Sequence, residues 1–240
     1  MIDFYNRDCL EALKEYPDEA FDLAIVDPPY GAGLINSGGR AGWFTRYKPT
    51  SENSEAQSGY FNRFGEIFDR YKPKDSKDQI KDITWDIAPP DEYFTELFRV
   101  AKNVIIWGGN YFNLPPCRCF LIWLKDNIPE KFTMAMCEYA WTSFNDNAKV
   151  FKYTSFRTED SGKFHPTEKP IALYKWLLTN YANKGDKILD THVGSASSLI
   201  ACYDLGFDAV GFEIDKTYYE AAKKRLEDHQ KQVSIFDLIT

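Results

Sequence analysis

The residues near the start of the chain best suited to chemistry are Asp27, Pro28, Pro29 and Tyr30, which follow directly on the apolar run Leu23-Ala24-Ile25-Val26. A short buried strand that ends in an acid, two prolines and an aromatic has a distinctive chemical profile. Each proline fixes φ and lacks a backbone N–H, so the carbonyls stand as acceptors with few donors beside them. Asp27 adds a side-chain acceptor and Tyr30 a flat π-face. The set suits a planar ring with an exocyclic amino group, whose N–H hydrogens the acceptors take while the ring stacks on the tyrosine. Strand-Asp-Pro-Pro is also an ordinary turn. A second constellation must separate the two readings.

That constellation lies far along the chain. Ile188-Leu189-Asp190 leaves an apolar run, and Thr191-His192-Val193-Gly194-Ser195-Ala196-Ser197-Ser198 enters a helix through small residues. Small side chains let backbone N–H groups approach a ligand, and a helix N-terminus favours a negative group there. Asp190 supplies an acid at the strand end. Glu213, 23 positions on, ends the next apolar run, where nucleotide-type folds capture ribose hydroxyls. The dinucleotide fingerprint is absent, because Ala196 occupies its second glycine position. That counts against a nicotinamide or flavin enzyme and suits a nucleoside cofactor without a pyrophosphate, such as S-adenosylmethionine. The alternative is a tight strand-to-helix turn with serine caps.

The elements that must hold these residues follow from apolar spacing. Strands are predicted over Ile2–Tyr5, the run ending at Asp27, Val104–Trp107, Cys119–Leu124, Met136–Thr142, Lys187–Leu189 and Ala209–Phe212. Helices are predicted over Cys9–Glu15 with Asp8 as N-cap, Asp91–Lys102, Ile171–Tyr181, Ser197–Leu205 and Lys216–His229. Alternation of this kind predicts an α/β protein with a doubly wound, mainly parallel sheet. Between the first and second thirds of that pattern lies a polar, aromatic-dotted stretch, 31–86, too long for an ordinary loop.

With 240 residues, a single domain with this excursion is expected. No leader-like segment or membrane-length apolar run stands out. Five cysteines, an odd number without framework spacing, suggest a reducing cytoplasmic setting, and no metal site is expected. The net charge is −7, which opposes a nucleic-acid partner on its face. The charge is uneven, however: residues 31–82 hold nine basic and seven acidic residues, and the rest 20 basic and 29 acidic.

Taken in order, Asp27-Pro28-Pro29-Tyr30, His165-Pro166-Thr167-Glu168-Lys169-Pro170, Asp190 through Ser197, and Glu213 resemble the DNA amino-methyltransferases. The order looks like their permuted β arrangement, in which the catalytic motif precedes the cofactor loop. The resemblance covers about half the chain. It implies a seven-stranded, Rossmann-like methyltransferase fold, S-adenosylmethionine as cofactor and DNA as partner. It makes a homodimer and a cognate restriction enzyme plausible associations. By the same resemblance, Asp8 and Cys9 fall beside the cofactor's adenine, and His165, Thr167 and Lys169 help hold its methionine end. Asp27, Asp190, His192, Gly194, Ser195, Ala196 and Ser197 surround the methionine portion. Glu213, with Ile214 beside it, meets the ribose. The family more often has Pro-Phe where Thr191-His192 stand and glycine where Ala196 stands.

Asp at the first motif position is tied in that family chiefly to N6 of adenine, with Ser or Thr there for N4 of cytosine. Asp27 is therefore expected to accept the amine's hydrogens with the Pro28 carbonyl, Pro29 to stiffen the loop, and Tyr30 to stack a flipped base. Arg40, Trp43, Arg46, Tyr60 and Arg63 in the insert are expected to contact DNA, or else to pack the insert. Rival expectations are an N4-cytosine enzyme, a methyltransferase for RNA bases or protein glutamines, and a non-catalytic DNA-binding subunit. The permuted order disfavours the second of these.

Overall fold

A computed structural model describes residues 1–30, 87–128, 135–154 and 168–237, with side chains through 232. The insert residues Arg40, Trp43, Arg46, Tyr60 and Arg63, and likewise His165 and Thr167, lie outside the described residues.

In chain order the elements are β1 (Ile2–Asn6), α1 (Cys9–Leu13), β2 (Phe21–Val26), α2 (Asp91–Val100), β3 (Ala101–Trp107), β4 (Phe120–Leu124), β5 (Cys137–Thr142), β6 (Lys149–Lys152), α3 (Ile171–Tyr181), β7 (Lys187–Asp190), α4 (Ser197–Leu205), β8 (Asp208–Glu213) and α5 (Lys216–Asp237). They form one sheet in the order β1-β8-β7-β2-β3-β5-β4-β6. The β5 strand is antiparallel to both its neighbours, and all other pairings are parallel. This is the doubly wound, mainly parallel sheet that the alternation predicted.

Among the described residues the sheet has eight strands, one beyond the seven-stranded type. The addition, β6, is a four-residue edge strand paired only with β4. Its Val150 is exposed, so Lys149-Val150-Phe151-Lys152 never builds the apolar run that marks a buried strand in sequence.

Period-two alternation along β2 explains why both faces are covered. Leu23 and Ile25 face a core shared with Leu173 and Leu177 of α3, Leu199 and Ile200 of α4, and Leu226 of α5. Ala24 and Val26 face the opposite core with Leu13 of α1 and Leu97 and Val100 of α2. One narrow contact sets the depth of α4: a Cβ on Gly211 of β8 would lie 2.6 Å from a methyl of Val193 and 3.1 Å from Leu199.

Strand order fixes where a site can form. From β2 the chain moves outward through β3, while from β7 it moves outward the other way through α4 to β8. The switch point therefore falls between β2 and β7, and such a crevice at the strands' carboxyl ends is where doubly wound sheets bind ligands. The two strands are parallel, with Leu23 opposite Ile188 and Ala24 opposite Leu189. Asp27 follows one strand and Asp190 ends the other. Topology alone brings the two motifs together.

Candidate active site

Asp27 leaves β2 carrying two donors. The Tyr30 hydroxyl donates to its Oδ1 at 2.8 Å, and the Lys169 ammonium donates to its Oδ2. The carboxylate is thus less bare than the Asp-Pro-Pro-Tyr reading suggests, although its two oxygens offer about four acceptor positions in all. Lys169 is only 3% exposed and also pairs with Glu138 of β5 at 3.2 Å. Glu138 in turn pairs with Lys125, just past β4, at 2.7 Å. Burial alone would raise the Glu138 carboxyl, but Lys169 and Lys125 outweigh it and hold it down at about 2. Lys169 itself stays firmly charged, because Asp27 and Glu138 overcome the cost of burying it. Its ammonium lies 5.5 Å from the centre of the Trp107 ring.

Tyr30 is fixed by the turn after β3. Its ring stacks on that of Tyr111, centroids 4.7 Å apart and planes 12° from parallel, and Phe112 meets it edge-on. Gly108 makes room for this ring. It sits at φ +68, and a Cβ there would lie 2.1 Å from Tyr30 Cε1. Burial and the Asp27 charge push the Tyr30 phenol well up, so it acts as a donor throughout the physiological range.

On the β7 side Asp190 is buried. It accepts from the His192 backbone N–H at 2.9 Å and from the Ser198 hydroxyl. Burial raises its carboxyl to about 7; Asp27 and Glu213 add to the rise, and the two hydrogen bonds oppose it. Asp27 and Asp190 stand at the carboxyl ends of two paired parallel strands, β2 and β7. Among the described residues no cation pairs with Asp190. Glu213, at the end of β8, accepts from the N–H of Gly194 at 2.9 Å and of Asp215 at 2.9 Å, and burial raises its carboxyl too. Ile214 beside it is 60% exposed.

The other candidate residues fall into place around these. The Asp8 carboxylate caps α1, accepting from Glu11 N at 3.1 Å, and is exposed. Cys9 approaches His192 Nε2 at 3.9 Å, which ties the segment after β1 to the segment after β7. Burial lifts the Cys9 thiol to about 12 and lowers His192 to about 4, so both are neutral. His192 Nδ1 lies 2.9 Å from Thr191 Oγ1, which lies 2.6 Å from the Tyr93 hydroxyl. Ser195, Ala196 and Ser197 are buried. The Ser195 and Ser197 hydroxyls lie 3.0 Å apart, and Arg225 donates to the Ser195 carbonyl and to Ser197 Oγ. These small residues shape the loop from beneath. Ala196 stands at φ +66, a left-handed conformation costing an L-residue about 1–2 kcal/mol, which accounts for a glycine preference there.

The sequence reading missed Glu138, Lys125, Tyr111 and Gly108. One signal was present for Glu138: an acid inside the otherwise apolar and aromatic Cys137–Thr142 run is uncommon unless paired.

Acids at the carboxyl ends of three adjacent strands, β2, β7 and β8, thus flank the switch point of a doubly wound α/β sheet. Comparison with known proteins narrows that class. Residues 106–224 match the family model described as DNA methylase, of the N6/N4 type. The type II methyltransferase M.HpaI of Haemophilus parainfluenzae is 26% identical over 247 residues, covering 91% of this chain and 72% of that protein. The type II methyltransferase M2.DpnII of Streptococcus pneumoniae is 25% identical over 244 residues, covering 92% and 88%. Two solved structures share the fold: the M1.HpyAVI–SAM complex, with TM-score 0.53 at 19% identity over 94% of this chain and 99% of that one, and PvuII DNA methyltransferase (cytosine-N4-specific), with TM-score 0.54 at 13% identity over 97% and 92%. These comparisons support a DNA amino-methyltransferase of the N6/N4 type.

Proposed function

We propose that the protein uses S-adenosylmethionine to methylate N6 of an adenine flipped out of DNA, with Asp27, Pro28, Pro29 and Tyr30 at the reacting amine. The observation that carries this reading is the placement of Asp27 and Asp190 at the carboxyl ends of the adjacent parallel strands β2 and β7, on either side of the switch point. Asp at the first motif position supports adenine over cytosine.

The residues fit the cofactor. Asp190 is a buried carboxylate raised to about 7 and lacking a cation among the described residues. It suits the ammonium of a methionine portion. Glu213 accepts two backbone N–H bonds and keeps acceptor capacity for ribose hydroxyls, and exposed Ile214 offers an apolar surface to a purine. S-adenosylmethionine would supply an electrophilic methyl group on a cationic sulfur.

The chain's own contribution is to make the amine reactive. An exocyclic amine shares its lone pair with the ring and is a weak nucleophile. Asp27 and the Pro28 carbonyl accept its two N–H bonds, which favours a pyramidal nitrogen and stabilises the positive charge that develops there. Asp27 then takes the proton the amine gives up. Flipping the base costs a few kcal/mol, and stacking at the Tyr30–Tyr111 pair returns about 1–3 kcal/mol. The type II relatives support pairing with a restriction endonuclease.

Incubation with labelled S-adenosylmethionine and unmethylated DNA, followed by nucleoside analysis, tests the reading. N6-methyladenine is expected. N4-methylcytosine would overturn the choice of base, and unlabelled DNA the activity.

Two further outcomes follow from the geometry. A Gly108→Ala substitution adds a methyl that collides with the Tyr30 ring and must adopt φ +68. Displacing the motif by an ångström should lower the single-turnover rate about a hundredfold, with circular dichroism unchanged. The second outcome concerns pH. The folded Asp190 carboxyl lies at about 7 against 3.8 unfolded, so its contribution to stability is full below 3.8 and is lost as pH rises through 7. A cationic ligand group favours the ionised form. Affinity for S-adenosylhomocysteine should therefore rise about tenfold from pH 5.5 to 7, and calorimetry on Asp190→Asn should show this dependence flattened.

A further inference from the structure

Glu138 lies outside the motifs that carry the proposed chemistry, yet it completes a charge cluster behind Asp27. Four groups from four different places in the chain meet here: Asp27 after β2, Lys169 before α3, Glu138 on β5 and Lys125 after β4. Two are acids and two are cations, so the cluster is neutral. Lys169 is the hinge, because its buried ammonium is shared by two carboxylates. We infer that Glu138 is a positioning residue for methyl transfer: by sharing Lys169, it keeps Asp27 available to the amine and compensates the ammonium when Asp27 takes the proton.

The inference rests on the function proposed above, and its logic is one of charge balance. The amine gains a methyl and loses one proton, and Asp27 accepts that proton. At that moment the acid facing Lys169 becomes neutral. With Glu138 present, the buried ammonium keeps a carboxylate at 3.2 Å. Without it, protonation of Asp27 strands Lys169 in a site where an uncompensated charge is costly. Lys169 would then engage Asp27 alone, which makes that carboxylate a weaker acceptor for the substrate. The other titratable groups that sense Asp27 are Tyr30, Tyr93 of α2, Tyr174 of α3 and Asp190. Burial keeps the three tyrosines neutral, and Asp190 is the cofactor-facing acid, so Lys169 is the cation whose balance Glu138 sets.

Substituting Glu138→Gln removes the charge and keeps the shape. The kcat for DNA methylation should fall about three- to tenfold, the acid limb of the kcat profile should move about one pH unit lower, and KM for both substrates should stay unchanged. A purely structural role would not move the acid limb. The conservative variant Glu138→Asp keeps a carboxylate for Lys169, so its acid limb should stay at the wild-type position with most of kcat retained. A wild-type kcat and acid limb in Glu138→Gln, or a Glu138→Asp variant no better than Glu138→Gln, would overturn the inference. If Glu138→Gln does not fold, a folded Glu138→Asp variant with an acid limb a full unit lower would overturn it equally. Wild-type protein assayed in parallel separates the two claims: failure of the wild type to methylate DNA sinks the proposed function, whereas an active wild type with an unaltered Glu138→Gln sinks only this inference.

Discussion

An Asp27→Asn protein should bind cofactor normally and transfer methyl groups about 10²- to 10⁴-fold more slowly than wild type. The substitution keeps the size and one acceptor oxygen but removes the charge and the proton sink. Tyr30 can still donate to the remaining oxygen, so the loop should hold its course. The loss should therefore appear in the chemical step. Single-turnover kinetics with saturating DNA and cofactor measures that step directly. A change confined to KM would mean that Asp27 only binds the base.

The Lys169→Met protein should lose about 3–5 kcal/mol of stability at neutral pH, because two carboxylates are left buried without the cation between them. The sign of the pH dependence follows from Glu138. Its folded carboxyl sits at about 2, below the unfolded value of 4.5, so it adds stability above 4.5 that is lost as pH falls toward 2. Most of that advantage requires Lys169. The gap between wild type and variant should thus be widest at pH 7 and should narrow from about pH 4.5 downward. Urea unfolding at pH 7, 5 and 4 reads this directly, and a constant gap would contradict the assigned pairing. By contrast, replacing an exposed partner such as Lys224, paired with Asp228, should change little.

The contrast between what the chain declares and what it conceals has a physical basis. Buried parallel strands are near-continuous apolar runs, and Leu23–Val26, Val104–Trp107 and Ile188–Leu189 announce themselves in that way. Acids immediately after such runs stand out for the same reason, so Asp27, Asp190 and Glu213 are legible. Helix ends are legible where local chemistry sets them, as at Asp8, whose side chain caps α1. The edge strand Lys149–Lys152 is not legible, since half its residues are exposed and its only partner is distant in sequence.

Tertiary pairing is what spacing cannot show. Lys169 belongs, by resemblance, beside the methionine end of the cofactor, and its ion pairs are with Asp27 and Glu138, 142 and 31 positions away. The stacking of Tyr30 on Tyr111 depends likewise on a turn 81 positions on, and on a glycine whose need is visible only as a would-be collision. By resemblance Ser195 and Ser197 belong to the turn around the methionine portion of the cofactor. In the fold they serve Arg225 and each other.

The most direct test of the shared crevice is a crystal structure of the protein with S-adenosylhomocysteine. The account predicts the ligand across the carboxyl ends of β7 and β8, its ammonium at Asp190, its ribose hydroxyls at Glu213 and its sulfur turned toward Asp27. A ligand seated instead in the cavity of about 330 Å³ lined by Tyr5, Arg7, Glu15, Tyr16 and Phe212, with its sulfur facing away from Asp27, would contradict it.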